Sequence, residues 1–219
     1  MYIEPNIPYI DKVYDNIKHA ILFNQLKQGE ILNERDLSAK LHVSRTPLSN
    51  ALNYLTREGW LEKRGKSRAV VEITWKDIED IYEIRVLTES FTCRKAAINI
   101  TPNLAQRMKA MLDAMEEQFH RDKDFTPFLE QDRDWHEFIN RIANNGKLNT
   151  MLTKLYEQFV RISFITTKQG SGKVISSMAE HRELAAAIAR HDPEAASMMC
   201  EKHITAWFDS LKKNWDGEK

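Results

Sequence analysis

Asp132, His136, His181 and His203 are the residues of this sequence whose types and spacing best suit a metal ion. Asp132 and His136 stand four positions apart, so on a helix their side chains leave one face about a turn apart, as two ligands of one ion must. His181 lies 12 residues before Pro193 and His203 lies 10 after it. Two antiparallel helices joined at Pro193 therefore bring them to similar depth. One carboxylate and three imidazoles suit a borderline divalent ion such as zinc, nickel or manganese, with positions left open if the ion takes five or six ligands. Spacing alone does not choose between this and histidines hydrogen-bonded within a core, the commoner fate of a buried helical histidine.

A second set of residues is basic and lies early in the chain. Between Arg35 and Arg68 there are eight basic residues against three acidic ones, a net of +5, whereas residues 75–219 hold 21 basic and 23 acidic, a net of −2. The overall balance of 32 Lys+Arg against 32 Asp+Glu hides this asymmetry. Concentrated positive charge is what a phosphate backbone selects, because each neutralised phosphate releases counterions. A basic stretch is equally often a solvated face, so the elements that carry it must decide.

Those elements read from the N-terminus as helix, short helix, tight turn, helix and hairpin. Ile10, Val13, Ile17, Ala20, Ile21 and Leu26 mark an amphipathic helix over 9–26. Asn33 caps a short second helix, with Glu34 and Asp36 where a helix start favours negative charge. Ser44 offers another cap, Pro47 falls in a first turn, and a third helix runs from about Arg45 to Arg57. After Gly59, residues 60–63 and 69–72 flank the turn-like Arg64-Gly65-Lys66-Ser67-Arg68. This is the order of a winged helix-turn-helix, whose third helix enters the DNA major groove.

From Thr74 onward, caps punctuate a helical domain. Helices are expected over about 75–99, 102–121, 127–143, 147–167, 174–190 and 193–213, with Lys168–Lys173 as a flexible loop. The fold class is mainly α: a winged helix-turn-helix over 1–73 with a two-stranded wing, then an all-α antiparallel bundle of about six helices over 74–219. Seven glycines and six prolines among 219 residues argue against many short strands. No apolar run approaches the roughly 20 residues of a membrane span. Two cysteines, Cys93 and Cys200, give no disulfide framework, so a cytoplasmic setting without membrane attachment is expected. Trp135, Phe138, Leu148, Leu152, Phe159 and Trp207 are read as bundle core.

The stretch from Asn33 to Leu61, with Val-Ser-Arg-Thr-Pro at 43–47 followed by Ala51-Leu52 and Glu58-Gly59, resembles the DNA-binding module of GntR-family bacterial regulators. Asp-Ile-Tyr-Glu-Ile-Arg85 with Glu89, then Asp132-x-x-Trp-His136, Asn145 with Leu148, Glu180-His181 and the late His203 resemble the FadR-type effector domain, or FCD domain. The resemblance implies that Asp132, His136, His181 and His203 bind a divalent ion, and that a small carboxylate effector binds there. Four positions depart from the family pattern. Ser49-Asn50 replaces an Arg-Glu pair, His42 replaces the turn glycine, and Ser67 stands where the wing often has a second glycine.

The implied protein is a homodimeric repressor or activator that reads palindromic double-stranded operator DNA. Arg45, Thr46 and Asn50, flanked by Ser44 and Ser49, are expected at base edges of the recognition helix. Arg35, Lys63, Arg64, Lys66 and Arg68 are expected at phosphates or in the minor groove. Arg85 and Arg161 are expected as countercharge to a small organic acid. Two alternatives keep less of this: a metal-free bundle that binds an acyl ligand or only dimerises, and a helical-bundle metalloenzyme. The enzyme is disfavoured because a di-metal bundle site wants two Glu-x-x-His motifs, where the sequence has one, Glu117-x-x-His120, and because no second carboxylate base is obvious.

Overall fold

A computed structural model describes residues 7–122, 125–166 and 171–215, and the chain divides into two compact units, Met1–Ile73 and Thr74–Lys219. The first unit contains α1 (Ile7–Leu22), α2 (Glu34–Lys40), α3 (Arg45–Arg57), β1 (Leu61–Arg64) and β2 (Ser67–Val70). Val13, Ile17 and Ile21 repeat every four residues along α1 and pack against Leu48, Ala51, Leu52 and Leu55 of α3, all buried. Each such Leu or Ile contributes roughly 1.5–3 kcal/mol on burial. Helix α1 stops at Leu22, short of the expected Leu26, because Asn24 turns into the left-handed region at φ 52°. The Asn33 side chain accepts hydrogen bonds from the backbone N–H groups of Arg35 and Asp36, starting α2. Ser44 occupies the N-cap position of α3 with extended backbone, yet its side chain makes no capping bond.

The turn between α2 and α3 is pinned by Ser38, whose hydroxyl donates to the Val43 carbonyl at 2.5 Å. His42 sits in this turn at φ 53°, so the backbone takes the shape a glycine would favour despite carrying an imidazole. In the wing, β1 and β2 pair antiparallel with Arg64 opposite Ser67. The hairpin loop is thus only Gly65-Lys66, tighter than the five-residue turn expected. Gly65 lies at φ 63° in the first loop position, where a type II′ turn needs a glycine. Ser67 is already paired strand, which is why no second glycine is required. An isolated bridge from Ile31 to Ala69 flanks the wing.

The second unit holds six helices among its described residues: α4 (Trp75–Asn99), α5 (Pro102–Asp122), α6 (Phe125–Ile142), α7 (Gly146–Thr166), α8 (Ser171–Ala189) and α9 (Pro193–Asn214). Helix α4 begins with a reciprocal capping box between Thr74 and Asp77. Asp192 accepts from the Ala195 N–H with Pro193 in the first turn, and so sets the tight α8–α9 reversal. Helix α8 already runs at Ser171, so that end of the loop expected over 168–173 is helical. Lys168–Gly170 lie outside the described residues. Helix α4 packs against α6, α7, α8 and α9, and is the central rod of the bundle. Among the described residues no helix is long and apolar enough to cross a membrane.

Candidate metal centre and DNA-reading face

Four helices aim titratable side chains at the middle of the second unit. Helix α6 supplies Asp132 and His136, α8 supplies His181, α9 supplies His203, and α4 lies behind them with Arg85 and Glu89; all six are buried. The aromatic wall of Trp135 fixes α6 in rotation, since its indole N–H donates to the Met108 carbonyl at 3.2 Å. The Nε2 atom of His181 lies 3.2 Å from Nε2 of His136 and 3.2 Å from Nε2 of His203. It lies 3.3 Å from Oδ1 of Asp132.

The tautomers of two rings follow from their far sides. Nδ1 of His203 stands 2.7 Å from a Glu180 carboxylate oxygen, so it carries the proton and its Nε2 lone pair faces inward. Nδ1 of His136 faces Glu89 at 3.5 Å, which favours the same tautomer. A carboxylate behind an imidazole is the arrangement that orients a metal-ligating histidine. Burial, reinforced by the nearby His181, His203 and Arg85, holds His136 well below the ordinary histidine range. Burial likewise holds His181 there, so both rings are neutral near pH 7 with lone pairs available. Burial pushes the Asp132 carboxyl up to about 6, against the lowering pull of His203 and Arg85.

This donor set fits a divalent ion. Nitrogen ligands at about 2.0–2.1 Å from one ion, at octahedral to tetrahedral angles, sit about 2.8–3.4 Å apart, and the 3.2 Å contacts fall within that span. Without a cation, inward lone pairs on His136 and His203 crowd a single nitrogen of His181, which can donate to only one of them. Among the described residues the Nδ1 of His181 has no hydrogen-bond partner, so none of them fixes the opposite tautomer from its outer side. Sequence spacing did not reveal Tyr156, whose hydroxyl donates to Glu89 at 2.5 Å. Its position on α7, 67 residues from Glu89, has no local signature.

Arg85 and Arg161, expected to face an effector, are placed otherwise. The Arg85 guanidinium donates through Nε to Glu89 at 2.5 Å and lies 3.8 Å from the Phe159 ring centroid. Arg161 is buried on α7, where desolvation lowers its pKa to about 10 against the pull of Asp77. Neither lines the cavity of about 130 Å³ that adjoins the histidines. That cavity is bounded by Asp132, Glu180 and His203, by four aromatic rings, and by serines and small aliphatic side chains between them.

The first unit presents its cations in two ways. Arg35, Arg45, Lys63 and Lys66 are exposed and make no side-chain hydrogen bond or ion pair among the described residues. Ser44, Thr46 and Asn50 are exposed beside Arg45 at the start of α3, with Ser49 half-buried. Arg64 is exposed but pairs with Glu62 and Glu72 at 2.7 and 3.0 Å. Arg68, expected at DNA, is instead taken up by Glu34 and by Asn53 Oδ1, the latter at 2.6 Å, which ties the wing to α2 and α3.

The chain matches the FCD domain over residues 80–206 and the bacterial regulatory proteins of the gntR family over residues 9–71. It is 23% identical over 203 residues to an HTH-type transcriptional regulator, YdhC, of Bacillus subtilis, covering 92% of this chain and 88% of the other. It is 27% identical over 155 residues to the gluconate operon transcriptional repressor of Bacillus licheniformis, covering 69% of this chain and 63% of that protein. The solved structure of Escherichia coli McbR/YncC superposes with a TM-score of 0.82 at 20% identity, over 94% of this chain and 98% of the other. The chain therefore belongs to the GntR family: it is a bacterial transcriptional regulator with an FCD effector domain, not an enzyme.

Proposed function

We propose that this regulator binds palindromic operator DNA as a homodimer and that a small organic acid, held at a divalent ion in the FCD domain, sets its operator affinity. The observation that carries the reading is the convergence of three imidazole Nε2 atoms on one point beside Asp132. Asp132, His136, His181 and His203 would hold the ion. Bound there, it would supply a Lewis-acid anchor for a carboxylate. Glu180 and Glu89 keep the His203 and His136 rings turned for that task, and Arg85 with Tyr156 keeps the Glu89 carboxylate in place.

On the DNA side, Arg45, Thr46 and Asn50 would meet base edges, with Ser44 and Ser49 beside them. Arg35, Lys63, Arg64 and Lys66 would meet phosphates or the minor groove. Arg68 serves through the wing it anchors. Self-association is supported by the outward face of α4, where Ile84, Leu87, Phe91 and Ile98 are exposed in one stripe. Asp80 and Glu83 precede the Leu87–Phe91 pair, and Arg94 and Lys95 follow it. A second copy reversed about a two-fold axis sets each acidic end against a basic one.

Elemental analysis of the purified full-length protein tests the metal reading. The wild type is expected to hold one divalent ion per chain, and the His181→Ala and His203→Ala variants to lose it. Full occupancy in both variants would return those histidines to a purely structural role. A gel shift on operator DNA, with and without ion and acid, then reports whether the two sites are coupled.

A further inference from the structure

The cavity beside the histidines has walls of a particular kind. Phe125 and Phe128 line it from α6, Phe159 from α7 and Trp207 from α9. Phe125 and Phe128 stack with centroids 5.9 Å apart and planes 17° apart. Phe159 and Trp207 meet edge to face at 5.1 Å. The Trp207 indole N–H donates to the Ser163 hydroxyl at 3.1 Å, which holds that ring in place. The rings thus fix one another before any ligand arrives, and they favour another ring laid among them at offset or edge contact.

Size narrows the ligand further. A cavity of about 150 Å³ lined by apolar side chains is enough to take up benzene, and this one measures about 130 Å³. One six-membered ring nearly fills it, with a short substituent reaching the Asp132–His203 end, and although Ser163, Ser176, Ser177 and Ser210 also line it, little space is left for an extended, hydrated sugar acid. Charge narrows it again. A divalent ion with Asp132 and three neutral imidazoles keeps one positive charge, which a single carboxylate cancels. A second carboxylate would lie among aromatic rings, where an uncompensated charge is costly. Glu180, the further carboxylate at that end of the cavity, would repel it.

We infer that the effector is a single-ring aromatic monocarboxylic acid, its carboxylate at the ion end beside Asp132 and His203 and its ring between the Phe125–Phe128 pair and the Phe159–Trp207 pair. This rests on the metal reading proposed above and goes beyond it by fixing the class of acid.

Calorimetry on the zinc-loaded, full-length protein tests it with benzoate, phenylacetate, succinate and glucuronate. One of the aromatic acids is expected to bind at least tenfold more tightly than succinate or glucuronate, and to change the tryptophan fluorescence through Trp207. Ala206→Trp, at an exposed position on the cavity's rim, is expected to abolish that binding while zinc content stays unchanged. Ser177→Phe, from α8 on the opposite side, serves as the second filling variant should the first fail to fold. Succinate or glucuronate binding as tightly as the aromatic acids overturns the inference. So does the absence of binding by both aromatic acids to protein that holds its zinc. Wild-type protein that takes up no zinc overturns the underlying metal reading instead, and elemental analysis tells the two failures apart.

Discussion

His42 carries its imidazole at a backbone conformation, φ 53°, that costs a side-chain-bearing residue roughly 1–2 kcal/mol. Glycine escapes that cost but gives back about 0.4–1 kcal/mol through the greater freedom of its unfolded chain. His42→Gly is therefore expected to stabilise the DNA-binding unit by up to about 1.5 kcal/mol, read as a shift in urea midpoint at unchanged slope. Arg45 is the counterpart at the same scale, exposed, without a side-chain partner among the described residues and next to Thr46 on the first turn of α3. If it reads a base, Arg45→Ala weakens operator binding by about 1–3 kcal/mol; unchanged affinity in a gel shift would remove it from the reading face. Single residues were the least legible in the sequence. Spacing singled out Asp132, His136, His181 and His203 because two are one turn apart and two flank a proline-marked reversal. It gave no sign that Arg68 spends its guanidinium on Glu34 and Asn53, or that Arg85 turns inward to Glu89. The Arg68 pairing depends on which elements pack together, and although Arg85 and Glu89 are one helical turn apart on α4, their burial depends on the helices around them.

Elements were far easier to read, and for a local reason. Asn33, the Thr74–Asp77 box and the Asp192-Pro193 pair act on N–H groups within three residues of themselves, so α2, α4 and α9 begin where the sequence places them. Ends set by less obvious backbone turns depart from the expected bounds: Asn24 closes α1 early, and the wing turn shrinks to two residues, Gly65 and Lys66. Helix α4 shows what an element must reconcile. Its inner face buries an Arg85–Glu89 pair with both side chains at 1% exposure or less. Removing one member strands the other charge away from water. Glu89→Ala is expected to destabilise the effector unit by about 3–5 kcal/mol, measured by chemical denaturation. A loss below 1 kcal/mol would mean that the guanidinium finds water or another acceptor.

At the scale of the whole molecule, the division of charge matches the division of labour, with the excess of cations confined to the DNA-reading unit. Self-association would double that charge on one operator. Leu87, 74% exposed at the centre of the α4 stripe, is the position to test. Leu87→Glu combined with Phe91→Glu is expected to convert a dimer to a monomer in light scattering, and to lower operator affinity more than tenfold as two-site binding is lost. A double variant that remains dimeric would place the interface elsewhere.

The same rod that carries this stripe follows the wing strand in the chain after the four residues 71–74, and bears Glu89 behind His136. Its successive faces thus answer to three unrelated demands, and few of its positions are spare. A saturation library across 75–99 should consequently show a tolerance map unlike that of neighbouring helices, with restrictions circling the whole barrel of α4 instead of keeping to a single side. Natural diversification of such a regulator would then proceed mostly through α6, α8 and the cavity rim, where new chemistry can be tried without disturbing the axle.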